Sequence, residues 1–395
     1  MNVLSIKVHR PALRIAAGLA AAAMALGIGA PGVAQAAASS SQTAHGPLAP
    51  VTLIKLGPDW SGNAQFGSSA PAWFTDSFGI VHLQGAAKQT VSSGTKADLL
   101  GTLPAAARPA RNVFEIAHTL YGTYADLKIA TNGNITVIKP RKPAVTDLRF
   151  VSLEGITYRP TVVGSTLLPL SPGWAPDVTP GTGLPGWFAD GSGIIHLEGA
   201  VSQASTATGQ NRVGILPPAA RPARNVFDIL ATNAGTYADV EIDTSGNINL
   251  IDPYGFAHKD YSFVSLEGIS YSPGAIFNSL APPFTGLNTA NWSTTTTYGN
   301  SDPGWNEDSA GVVHLQGAVT LTSLSGDFGL VATLPSIIAP NRTVYTIVHT
   351  FDGTYADLAI QPSGQVQLIA PRPPMGGGDT FDYTFVSLEG VTYQP

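Results

Sequence analysis

An all-β fold is expected for this chain, as three tandem antiparallel β-sandwich domains of jelly-roll type. Three observations predict it: short alternating runs, turn signals about every ten residues, and a threefold internal repeat. Residues 112–118 and 124–129 alternate apolar with polar positions, the period that puts successive side chains on opposite faces of a strand. Thr131-Asn-Gly-Asn134 marks a hairpin turn between such runs, and seven or eight short strands fit in each repeat. From Thr52 to Pro395 no segment holds a helical period over three turns, and Pro104, Pro109, Pro140 and Pro143 would interrupt one.

Internal similarity sets the domain count. Gly79-Ile-Val-His-Leu-Gln-Gly85 returns as Gly193-Ile-Ile-His-Leu-Glu-Gly199 and as Gly311-Val-Val-His-Leu-Gln-Gly317. Phe150-Val-Ser-Leu-Glu-Gly-Ile-Thr-Tyr158 returns at 263–271 and 385–393, and Gly122-Thr-Tyr-Ala-Asp126 recurs at Gly235 and Gly353. All six tryptophans form pairs 13 residues apart, Trp60 with Trp73, Trp174 with Trp187 and Trp292 with Trp305, and the second always precedes the repeat's histidine by 9. A self-similar period of this length implies separate copies of one structural unit. The repeats span residues 52–160, 165–273 and 283–395, joined by short Pro/Gly/Ser-containing linkers.

These motifs, with Leu103-Pro-Ala-Ala-Ala-Arg-Pro109 between them, occur in an order that resembles the small β-domain at the tip of bacteriophage tail fibres and collagen-like tail proteins. The resemblance covers nearly the whole of each repeat. It implies a β-sandwich head that assembles as a trimer and touches a cell-surface receptor, often a glycan. Two departures stand out. Three copies are fused in one chain where the family usually carries one, and the third repeat reads Ala339-Pro-Asn-Arg342 where the others have Arg108-Pro109 and Arg221-Pro222. Fused copies of a trimeric domain could close into an intramolecular pseudo-trimer, giving a monomer with pseudo-threefold symmetry. The alternative is an array, in which linkers of about five to ten residues reach only about 15 to 35 Å.

The amino terminus reads as an export signal over residues 1–36: basic Lys7, Arg10 and Arg14, an apolar alanine-rich run from Ile15 to Ile28, and Ala34-Gln35-Ala36 for cleavage. Residues 37–51 read as a disordered tail. The apolar run is short for a membrane span, so the expected location is secreted and extracellular, with no membrane contact after cleavage. Removing the leader moves the formal charge from −6 to −9, which argues against a nucleic-acid partner. Charged residues make up 12% of the chain, so hydroxyls and amides carry much of its solubility. There is no cysteine, so burial and strand pairing must hold each domain without disulfides.

Candidate ligand-binding residues are Trp73, Trp187 and Trp305, whose Pro- and Gly-rich flanks favour exposure, and His82, His196 and His314. Indole faces stack on sugar rings, whereas buried indoles would staple the first strand to the core. Three histidines on one inward face of a closed ring could bind zinc. Hydrogen bonding of each within its own domain is the preferred reading, so no metal and no cofactor are expected. Glu154, Glu267 and Glu389 with Asp126, Asp239 and Asp357 supply two carboxylates per repeat, a pattern that can hydrolyse glycosidic bonds across a cleft. Their recurrence in every copy points instead to folding, and Val-Ser-Leu-Glu-Gly lacks the glycine-flanked elbow that would expose Ser152 in a triad with His82 and Asp126. Asp243-Thr-Ser-Gly-Asn-Ile-Asn249 reads as a hairpin turn rather than a calcium loop, and Arg108, Arg111, Arg221 and Arg224 as braces on backbone carbonyls rather than anion ligands. The expected function is therefore a non-enzymatic binding protein for a glycan or cell-surface ligand. The alternatives are a structural scaffold of the cell exterior and, third, a polysaccharide hydrolase.

Overall fold

The computed structural model describes residues 49–91, 98–140, 146–161, 164–204, 210–252, 260–274, 286–324, 328–369 and 383–395. The proposed leader and most of the tail that follows it lie outside these residues. Among those described, every paired strand is antiparallel and the helical pieces are three-residue 3-10 turns. Each repeat is built from two sheets. In the second repeat the larger runs Trp174–Pro176, Ala200–Gln203, Val264–Ser265, Val226–Thr232, Thr236–Ile242, Asn247–Ile251 and Arg212–Ile215. The smaller runs Thr166–Leu167, Gly186–Ala189, Ile195–Glu198 and Ser270–Tyr271. The other repeats follow the same order, and the three contain twelve, eleven and ten strands among the described residues. That exceeds the seven or eight expected, because several strands are two residues long and so carry no readable period.

Each repeat closes its own core. Val81, Leu83, Leu127 and Val151 lie in the first, Ile195, Leu197, Val240 and Val264 in the second, and Val313, Leu315, Leu358 and Val386 in the third. The first tryptophan of each pair, Trp60, Trp174 or Trp292, is buried in that core. The indole N–H of Trp174 donates to Gln210 O and that of Trp292 to Phe328 O.

The three repeats form a closed ring. Strands Val113–Thr119, Val226–Thr232 and Val344–Thr350 each touch the other two and so surround a common pseudo-threefold axis. Tyr124, Tyr237 and Tyr355 meet there with ring centroids 5.2–5.3 Å apart, each nearly perpendicular to the next. Between the copies lie apolar seams, such as Phe114 with Phe263 and Phe227 with Phe385.

Candidate functional site

His82, His196 and His314 are each committed locally. Their Nε2 atoms lie 2.9–3.0 Å from Asp76, Asp190 and Asp308, each six residues earlier in the turn that opens the histidine's strand. His82 and His196 also stack on Phe74 and Phe188 of the adjoining strand. Burial works against the charge of Asp308, but the hydrogen bond and field of His314, with two backbone amides, outweigh it and lower its pKa. Among the described residues no group of three or more His, Asp or Glu side chains is placed to hold a metal ion. Trp73, Trp187 and Trp305 occupy equivalent positions on the smaller sheets, half-buried and packed against the edges of the cores. Their indole nitrogens have no hydrogen-bond partner.

The repeated motifs meet one another at the seams. Gly85, Gly199 and Gly317 adopt φ of 76–81°, and their amides donate to Glu154, Glu267 and Glu389 at 2.7–2.8 Å. Each glutamate also reaches into another repeat. Arg342 bonds Glu154 at 2.7 Å, Arg111 bonds Glu267 at 2.9 Å and Arg224 bonds Glu389 at 2.8 Å, with every partner buried. Ser152, Ser265 and Ser387 donate across the same seams to Tyr345 O, Phe114 O and Phe227 O. The residues of the triad considered above are thus separated: Ser152 is spent on Tyr345 and His82 on Asp76. Arg108 and Arg221 brace Leu103 O and Leu216 O as expected. Arg111 corrects that reading, because it pairs with carboxylates of the next repeat, whereas Arg224 both donates to Gly274 O and pairs with Glu389 of the next repeat. In the third repeat Arg342 takes their place, so loss of the Arg-Pro pair leaves the seam intact. Asp243 accepts the Ser245 and Asn247 amides in a hairpin turn.

Small departures from threefold symmetry distinguish the seams. In the seam between repeats three and one, His118 stacks on Tyr345 and its Nδ1 stands 2.9 Å from Asp357. Between repeats two and three, His349 stacks on Phe227 and faces Asp239 at 3.2 Å. Between repeats one and two the corresponding residue is Ala231, which offers no imidazole to Asp126. The neighbouring aromatic is missing there too: Phe66 packs on Phe150 and Tyr298 on Phe385, but their counterpart is Pro180. Tyr355 and Tyr237 donate to Gly122 O and Gly353 O across the two other seams, whereas the Tyr124 hydroxyl is unpaired.

The result is a cleft of about 520 Å³ lined by Phe114, Asp126, Pro180, Asn233 and Phe263, among others. Asp126 is 2% exposed and its Oδ1 has no hydrogen-bond partner. Burial alone pushes its pKa well above the usual carboxylate range. Burial also raises Asp239 and Asp357, but there the imidazoles oppose it. The seam around the cleft is reinforced elsewhere. Glu198, which stands where the other repeats have Gln84 and Gln316, accepts Arg111 at 2.5 Å and Arg159 at 3.3 Å.

A separate cavity of about 50 Å³ is lined by residues of the axial strands, including Glu115, Asp228 and Thr346, together with Glu154 and Glu267. Burial first, and then the nearby Glu267, drives Glu115 well above the usual range. Asp228 rises to about 8 through burial, which the Ile229 amide opposes.

The seam residues His118, His349 and Ala231 escaped the sequence reading. The signal was present as an aligned column reading His, Ala, His, but it acquires meaning only once the seams show what each histidine faces. No family model, curated protein or solved structure matches the chain.

Proposed function

We propose that this is an exported, non-enzymatic binding protein that presents three similar domains on one ring to a glycan or cell-surface ligand. The supporting observation is the triplication, around one ring, of a half-buried tryptophan in the same setting: Trp73, Trp187 and Trp305. Three sites on one body convert weak contacts into avidity when the ligand repeats, as surface glycans do. The motif order that resembles tail-fibre tip domains favours the same ligand class. The recurring glutamates Glu154, Glu267 and Glu389, which could have served hydrolysis, are engaged in holding the seams, which favours binding over turnover.

A second reading, a scaffold of the cell exterior without a small ligand, is favoured by the same internal use of Glu, Ser and Arg. A glycan array followed by tryptophan fluorescence titration separates the two. At least one glycan is expected to bind and perturb the emission, with Trp187→Phe weakening it several-fold. Absence of both binding and emission change across the array would leave the scaffold reading.

A further inference from the structure

We infer that the seam between repeats one and two is a binding site for a small molecule carrying a planar N–H heterocycle of the imidazole class, with Asp126 as the acceptor at its base. The two other seams show what this position is shaped to hold. In each, an imidazole lies nearly parallel to an aromatic ring, His118 on Tyr345 at 5.3 Å and 16° and His349 on Phe227 at 5.4 Å and 13°. In each, the imidazole Nδ1 also faces a buried aspartate of the neighbouring repeat. The first seam keeps both receiving groups at the cleft, the carboxyl of Asp126 and the ring of Phe114, over which the Lys128 ammonium stands at 5.6 Å. At the position aligned with the two imidazoles it has Ala231, buried beside Phe114 and Phe263.

A buried carboxyl oxygen without a partner costs about 1–3 kcal/mol or more, yet here it stands at the wall of an open space rather than in a collapsed core. The space is also wider than one imidazole, because Pro180 replaces the aromatic residue that fills the other seams. Its volume of about 520 Å³ falls in the range of small-molecule sites. Asp177, Ser202 and Ser262 line the same cleft and give it polar groups besides Asp126, with Asp177 suited to a cationic side arm on the heterocycle. The Glu198 contacts to Arg111 and Arg159 brace this seam without filling the cleft. An imidazole bearing an aminoethyl arm meets all these demands. Its ring would lie on Phe114, its ring N–H would donate to Asp126 and its ammonium would face Asp177.

This inference goes beyond the glycan reading and does not depend on it, since glycan binding can fail while the cleft binds its ligand, or the reverse. The test is calorimetric or ligand-observed NMR titration of the purified protein with histamine, benzimidazole and, as a control without the ring, propylamine. Saturable binding of one histamine or benzimidazole per chain is expected, with propylamine at least tenfold weaker. Ala231→His, which restores an imidazole at the position aligned with His118 and His349, should abolish binding, and Asp126→Asn should weaken it at least tenfold. Should Ala231→His fail to fold, Asp126→Asn decides alone. The inference is overturned by the absence of saturable binding, by equal binding of propylamine, or by binding that survives in folded Ala231→His or is unchanged in Asp126→Asn.

Discussion

Gly85 shows how a short motif becomes a constraint at the scale of one residue. Its φ of +81° belongs to the left-handed region, and a Cβ added there would stand 2.2 Å from the carbonyl oxygen of Ala70. Gly79, at the other end of the same motif, shares that φ but has nothing within 4 Å of the added atom. The pair separates backbone strain from close approach. Gly79→Ala should cost about 1–2 kcal/mol, the strain of one left-handed residue. Gly85→Ala should cost about 3–5 kcal/mol, among the severest single substitutions, because a backbone carbonyl cannot swing aside as a flexible side chain can. Urea denaturation of the two variants checks this, and equal losses would refute the role given to Ala70. The glycine was visible in the sequence as the last residue of a thrice-repeated heptapeptide. Its partner Glu154 was visible too, but 69 residues away, and only the paired strands bring its carboxylate to the Gly85 amide at 2.7 Å.

At the scale of the element, the alternating pattern identified strands well and their surroundings poorly. Residues 113–119 alternate as a strand with one wet face would, yet one face lies against its own domain and the other against the axis. Alternation records which positions are polar, not whether water or another repeat meets them, and Glu115 on this strand is buried. The axial strands carry Glu115, Asp228 and Thr346 at one position, and this difference has a consequence for stability. Asp228 lines the small axial cavity, and burial makes charging its carboxyl unfavourable. The folded value of about 8 against an ordinary 3.8 means that the native state holds a proton the unfolded chain has released. This contribution is complete below the unfolded value and is lost as pH rises toward about 8, with a slope of up to about 1.4 kcal/mol per unit for one such group. Asp228→Asn should therefore flatten the fall in stability between pH 5 and pH 7.5 measured by chemical denaturation. A slope identical to that of the wild-type protein would show that this carboxyl does not carry it.

For the whole molecule, the three seams are alike in chemistry but not in connectivity. Repeats one and two, and repeats two and three, are joined by linkers, so those seams can loosen without their domains leaving one another. The seam between repeats three and one has no linker and is closed by contacts alone. They include Arg342 with Glu154, the Thr343 amide on Gly67 O and the Tyr345 hydroxyl on Phe66 O. Removing one partner of a buried ion pair leaves the other charge uncompensated, at a cost of about 3–5 kcal/mol. Arg111→Met and Arg342→Met should both pay this in global stability, with Arg111→Met softened by Arg159, which also contacts the Glu198 that Arg111 pairs with. Their shapes should differ. A compact chain of this size has a radius of gyration of about 20 Å, and Arg111→Met should keep it because a linker holds its seam together. Arg342→Met, at low urea, should scatter as a larger and more elongated particle, because no covalent link restrains its seam once the contacts weaken. Small-angle scattering of the wild-type protein and both variants decides. A wild-type particle much larger than about 20 Å would contradict the closed ring, and identical expansion of both variants would show that connectivity does not determine where it opens.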